Sequence, residues 1–222
     1  MKRTICILAP HPDDEVLGVG GTLARYAAEG HETHVVVVTK GGPPRYSAKV
    51  VETSRREAAL AHAVLGIHAT HFLGLPAAEL DRVPHGEVNA AIGRVLQEIG
   101  PDELFLPFIG DIHLDHQLTF LSALVACRPH GQPFPAVIRA YETLSETNWN
   151  AAYLTPPFVP NHYVDISAFL DTKLKALGCF AGEMRAFPHE RSLEAVRALA
   201  MHRGATVGRS AAEAFVTVRS VI

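Results

Sequence analysis

The sequence predicts an α/β fold, a Rossmann-like three-layer sandwich on a mainly parallel sheet, and three observations predict it. Short apolar, β-branched runs alternate with helix-period stretches along the chain, which is the pattern of βαβ units. One run, His34 to Thr39, holds four consecutive valines, as a strand buried on both faces of a parallel sheet requires. Two clusters of histidine and aspartate each come directly after such a run, and in open α/β sheets ligands bind beyond the carboxyl ends of the strands.

Thr4 to Ala9 reads as the first strand, and after a polar elbow an apolar-periodic stretch from Val16 to Glu29 reads as a helix closed by Gly30. The valine run is the second strand, broken by Gly41-Gly42-Pro43-Pro44. Glu52 to Leu65 carries Ala58, Ala61 and Leu65 at helical spacing and stops at Gly66, after which Thr70 to Leu75 is a strand. Glu87 to Ile99 suits a helix ended by Gly100-Pro101, and Glu103 to Phe108 a strand that leads into a second polar elbow. A helix from Gln117 to Cys127, a strand from Val137 to Thr143, helices at Ala168 to Phe180 and Leu193 to His202, and a last strand at Ala214 to Arg219 follow. The stretch 143–162, with Pro156, Pro157 and Pro160, reads as a long loop that could wall a site.

A chain of 222 residues, nearly half apolar and without an internal repeat, fits one α/β domain spanning 1–222. The formal charge is only −3 and the basic residues are scattered, so neither nucleic acid nor an anionic membrane is the expected partner. Cys6, Cys127 and Cys179 lie far apart, which argues against a disulfide framework or a thiolate zinc site. The basic and then apolar start at Met1 to Ala9 is ended by Pro10 to Glu15 before a signal-peptide core forms, so a cytoplasmic location is expected.

The thirteen histidines need an explanation, and the two clusters supply it. In Ala9-Pro10-His11-Pro12-Asp13-Asp14-Glu15 an imidazole stands beside three carboxylates. Zinc accepts both donor types, and a catalytic zinc has three protein ligands and a water. His11 and one aspartate would supply two ligands, and a second aspartate could take the proton of the activated water. An acidic N-cap would explain Asp13 or Asp14, but not the histidine beside them. His113-Leu114-Asp115-His116 then supplies the missing third ligand and leaves over an imidazole that can hold positive charge next to a carboxylate.

With both motifs in place, the chain resembles the LmbE-like (PIG-L) N-deacetylase family. Glu57-Ala58 with Ala61 and Leu65-Gly66, Phe72-Leu73-Gly74-Leu75-Pro76, Val164-Asp165-Ile166-Ser167, Arg203-Gly204 and Ala212-Glu213-Ala214-Phe215 resemble family landmarks in the family's order. The resemblance implies His11, Asp14 and His116 as zinc ligands, Asp13 as general base, and His113 as a charged partner oriented by Asp115. One carboxylate and two imidazoles also suit Fe2+ or Co2+. The resemblance further implies an N-acetylglucosamine-type substrate and the possibility of a homo-oligomer. Ala77 stands where many members have aspartate, and Ile112 and Leu114 where many have arginine and proline, so substrate recognition transfers less well than the hydrolytic machinery. Arg55 and Arg56 fall near a family arginine proposed to meet substrate.

Two rivals remain. Gly18-Val19-Gly20-Gly21 follows a strand as a dinucleotide loop does, but its spacing is not G-x-G-x-x-G and the carboxylates before it oppose a pyrophosphate. A non-catalytic metal-bound carbohydrate-recognition protein would need neither Asp13 nor His113. Trp149, Tyr141 and Tyr153 are the few aromatic residues of the candidate rim, which favours a small glycoside over a long sugar chain.

Overall fold

The computed structural model of the chain describes residues 2–130 and 134–221. Among these, seven strands form one sheet: β1 (Thr4–Ala9), β2 (Glu32–Lys40), β3 (Ala69–Pro76), β4 (Glu103–Pro107), β5 (Val137–Tyr141), β6 (His162–Asp165) and β7 (Ala212–Ser220). Their order is β3-β2-β1-β4-β5-β7-β6. The first five run parallel, whereas β7 is antiparallel to both β5 and β6.

Six helices cover the two faces: α1 (Asp14–Ala28), α2 (Ala48–Leu65), α3 (His85–Ile99), α4 (Leu114–Ala126), α5 (Leu170–Leu177) and α6 (Leu193–Thr206). Side chains alternate across a strand. Ile5, Ile7, Val35 and Val37 therefore pack with Val16 and Leu23 of α1, Ala58 and Ala61 of α2, Leu174 of α5 and Val196 of α6. Cys6, Leu8, Val36 and Val38 pack on the other face with Val88 and Ile92 of α3 and Phe120 and Ala123 of α4. Burying each Val, Leu or Ile contributes about 1.5–3 kcal/mol, which is why the valine run is covered on both faces of the sheet and fixes its register.

Two expectations change, and the rival reading of the glycines loses its basis. The helices α1 and α4 begin inside the polar clusters rather than after them, because the clusters themselves serve as helix starts. Asp14 and Glu15 occupy the first turn of α1, where carboxylates meet the positive end of the helix dipole. His113 caps α4, its Nδ1 accepting from the Asp115 N–H at 3.1 Å. The stretch 143–162, read as a loop, contains a 3-10 turn at Thr147–Trp149 and runs into β6, whose four residues are too few to show a period. The glycines of the supposed nucleotide loop lie within α1. A side chain at Gly18 would collide with the Tyr141 ring, and one at Gly21 would lie 2.7 Å from Ile166 Cδ1. These glycines let α1 approach the sheet and β6 closely; they cradle no phosphate.

An ion pair is buried under α1. Lys173 Nζ lies 2.6 Å from Glu213 Oε1 and donates to the Leu17 carbonyl at 2.7 Å. The Glu213 carboxylate accepts from the N–H groups of Gly21 and Thr22 at 2.9 and 2.7 Å. Residues of α5 and β7 thus hold the middle of the helix whose first turn carries Asp14.

No helix among the described residues is long and apolar enough to cross a membrane.

Candidate active site

The sheet order reverses between β1 and β4, which are neighbours although much of the chain separates them. This is the topological switch point at which doubly wound sheets open a crevice. His11, Asp13 and Asp14 follow β1, while Asp111, His113, Asp115 and His116 follow β4. Both clusters therefore reach one crevice, as their positions after strands predicted.

Ligand atoms of His11, Asp14 and His116 all lie within 4.8 Å of one another. Asp14 Oδ2 is 3.3 Å from His11 Nδ1 and 3.2 Å from His116 Nε2. Asp14 Oδ1 and His116 Nε2 are buried without a hydrogen-bond partner, an arrangement that is costly unless a cation completes it. Each imidazole is held through its other nitrogen by a carboxylate: His11 Nε2 by Asp115 Oδ2 at 3.0 Å, and His116 Nδ1 by Asp111 Oδ2 at 2.8 Å. Ligating histidines are oriented in this way. Asp111 also accepts from the Thr147 hydroxyl at 2.6 Å. Burial opposes the Asp14 charge, but the His116 and His11 rings outweigh it and hold Asp14 well below the usual carboxylate range. His11, His113 and Asp115 also cluster within 4.8 Å. That set is less suited to a cation, since the Asp115 carboxylate already accepts from Ala78 N at 2.6 Å, Leu80 N at 3.2 Å and the His11 ring.

Asp13 stands beside this set. Its φ of 112° is in the left-handed region that non-glycine residues avoid, at a cost of about 1–3 kcal/mol. The Glu15 carboxylate stabilises that conformation by accepting from the Asp13 N–H at 3.1 Å, and is itself fixed by His62 Nε2 at 2.9 Å. His62 in turn meets the Thr70 hydroxyl at 2.7 Å. Arg191 Nη1 reaches Asp13 Oδ2 at 2.9 Å, while its Nε donates to the Ser145 hydroxyl at 2.9 Å. Burial raises the Asp13 carboxyl well above its ordinary range; Arg191 opposes this, and Asp14 and Glu15 reinforce it. Sequence reading missed Asp111, Glu15, His62 and Arg191. Glu15 lay within the first quoted motif and Asp111 two residues before the second, whereas a lone arginine before the helix α6 carries no signal.

His113 was expected as a charged partner oriented by Asp115. The Asp115 carboxylate is committed to His11 and to two backbone N–H groups. It is the Asp115 N–H that orients His113, by donating to Nδ1. A proton on Nδ1 would oppose that donor, and burial reinforced by His11 and His116 pushes the imidazole down to about 4. With Nδ1 accepting, Nε2 is the ring position left to carry a proton.

A cavity of about 250 Å³ opens over the cluster. His11, Asp13, His113, Glu146, Glu183 and Arg191 form its polar floor, and Tyr46, Val50 and Phe72 an apolar wall, with Lys40 and Arg55 also lining it. The expected rim aromatics are corrected: Tyr141 is buried, its hydroxyl donating to the Leu8 carbonyl at 2.9 Å, and neither Trp149 nor Tyr153 lines the cavity. Arg55 lines the cavity over the Phe72 ring, whereas Arg56 does not. Ala77 is part of the wall.

Comparison with known proteins agrees with this geometry. A family model described as "PIG-L: GlcNAc-PI de-N-acetylase" matches residues 6–127, which include every residue of both clusters. A Bacillus anthracis protein named "Probable N-acetyl-alpha-D-glucosaminyl L-malate deacetylase 2" is 26% identical over 194 residues, covering 82% of this chain and 82% of its own. The solved N,N'-diacetylchitobiose deacetylase of Pyrococcus horikoshii is 26% identical with a TM-score of 0.76, covering 98% of this chain and 84% of that one. The 4-carboxy-2-hydroxymuconate hydratase of Pseudomonas putida KT2440 superposes with a TM-score of 0.80 at 21% identity, covering 100% of this chain and 98% of that one. At that identity the likeness shows the fold alone, and a shared fold does not decide the reaction.

Proposed function

Since the chain belongs to the PIG-L (LmbE-like) family of N-deacetylases, we propose that it removes the acetyl group from a small N-acetylglucosamine-type sugar or glycoconjugate, with a divalent metal held by His11, Asp14 and His116. The convergence of those three ligands, with Asp14 Oδ1 and His116 Nε2 buried and unpartnered, carries the reading. Two imidazoles and one carboxylate suit Zn2+ first, and Fe2+ or Co2+ also. When bound, such an ion supplies a Lewis acid and lowers the pKa of a water.

The chain's own residues supply the remainder. Asp13, raised by burial, accepts the proton of the attacking water and returns it to the departing amine. Arg191 and the Glu15–His62 pair fix where its carboxylate lies. The Nε2–H of neutral His113 is available to the oxygen of the acetamide carbonyl as negative charge develops there, and a neutral donor of fixed orientation serves that purpose. Asp115 and Asp111 orient the ligand rings, and Asp115 also orients His113. The cavity, at about 250 Å³, lies below the ~300–1,000 Å³ usual for ligand pockets and therefore favours a monosaccharide conjugate over a long chain.

The test is acetate release from a panel of N-acetylglucosaminides, before and after removal of metal by a chelator and after its return. The reading expects activity that is lost on chelation and restored by Zn2+, Fe2+ or Co2+. Unchanged activity in metal-free protein, or no acetate from any N-acetylated sugar with metal bound, would overturn it.

A further inference from the structure

A second group of metal-ligating side chains lies at the opposite end of the sheet from the active site. At the amino ends of β2 and β3, Glu32, His34 and His68 each offer a ligand atom, and these atoms lie within 4.8 Å of one another. Glu32 and His34 are two residues apart on β2 and so share a face. His68 immediately precedes β3, whose first residue Ala69 pairs with His34. His71, on the same face as Ala69, places Nε2 3.2 Å from His34 Nδ1. The His34 ring centroid lies 5.2 Å from that of His68 and 5.5 Å from that of His71.

We propose that Glu32, His34 and His68 bind a zinc-class divalent ion, with His71 holding the His34 ring through its other nitrogen. Imidazoles with one carboxylate select Zn2+, Ni2+ or Cu2+ over Ca2+ and Mg2+, which take oxygen ligands. A proton on His34 Nδ1 donated to His71 leaves the Nε2 lone pair available, which is the support that a ligating histidine needs. One competitor is present: Lys2 Nζ lies 2.7 Å from Glu32 Oε1. That ion pair is exposed and weak, and a dication displaces it.

The site has a structural consequence. Among the described residues β3 is the edge of the sheet and pairs only with β2. An ion shared by Glu32 and His34 of β2 and by His68 at the start of β3 clips that edge in place. It binds the folded chain alone, because the ligands converge only when the two strands pair.

Zn2+ is titrated into chelator-stripped, dialysed protein, with bound metal counted and thermal unfolding followed. The wild type should bind one equivalent more than the His34→Asn/His68→Asn variant, and its Tm should rise further with Zn2+, by roughly 5–10 °C at a hundredfold excess over Kd. The difference between the two proteins is what is read, so it survives even if the active site holds no metal. Deacetylation by the double variant at one equivalent should match the wild type. Should that variant fold poorly, Glu32→Gln at the exposed end should weaken the additional equivalent at least tenfold. Equal stoichiometry and equal affinity in wild type and variant would overturn the proposal.

Discussion

Asp115 Oδ2 lies 3.0 Å from His11 Nε2, so a residue of the second cluster orients a ligand of the first. Asp115→Asn should therefore act on metal affinity. Loss of such a supporting carboxylate lowers metal affinity by about 10- to 100-fold. Competition with a chelator measures it, and a variant that keeps wild-type affinity while losing kcat would return Asp115 to the role of charging His113.

Catalytic and ligand residues should separate by experiment. Asp13→Ala and His113→Ala should each lower kcat by roughly 10²-fold or more with metal retained, the scale on which a proton-transfer group or an oxyanion donor acts. Asp14→Ala and His116→Ala should lose metal first. Metal analysis alongside kcat decides the matter, and an Asp13→Ala protein with full metal and near wild-type turnover would remove Asp13 from the mechanism.

The buried Lys173–Glu213 pair makes a stability prediction. Glu213→Ala leaves the Lys173 charge buried and two α1 N–H groups unpartnered, and breaking such a pair costs about 3–5 kcal/mol. Adding Lys173→Met should recover part of the loss. Urea unfolding of the single and double variants measures both, and a single variant within 1 kcal/mol of wild type, taking the error of such extrapolations as roughly that size, would contradict the account.

His162 on β6 links stability to pH. Burial, and then Arg139, push its pKa down to about 4, against about 6.5 in an unfolded chain. Between those values the unfolded chain binds the extra proton, so this contribution is intact above about pH 6.5 and is lost as pH falls towards 4. His162→Phe should lose less stability than the wild type between pH 7.5 and pH 5. Denaturant midpoints at the two pH values give the comparison, and equal losses would show that His162 contributes nothing.

The sequence by itself determined where the chemistry would gather. The strands β1 and β4 were legible as apolar runs, and polar residues placed directly after parallel strands are carried to one sheet edge whatever the intervening chain does. Helix centres were legible for the same reason, since burial on one face imposes a period on neighbouring residues. β6 was not legible, because four residues carry no period, and neither was the antiparallel course of β7, because strand direction depends on which neighbour a strand meets. Within the site, tertiary structure alone decided the partners: Asp115 meets His11 across 104 residues, and Arg191 meets Asp13 across 178. Residue type and spacing specify what a side chain can do, but the hydrogen bonds that orient His11 and Asp13 are set by groups that only the folded chain brings within 3 Å or so.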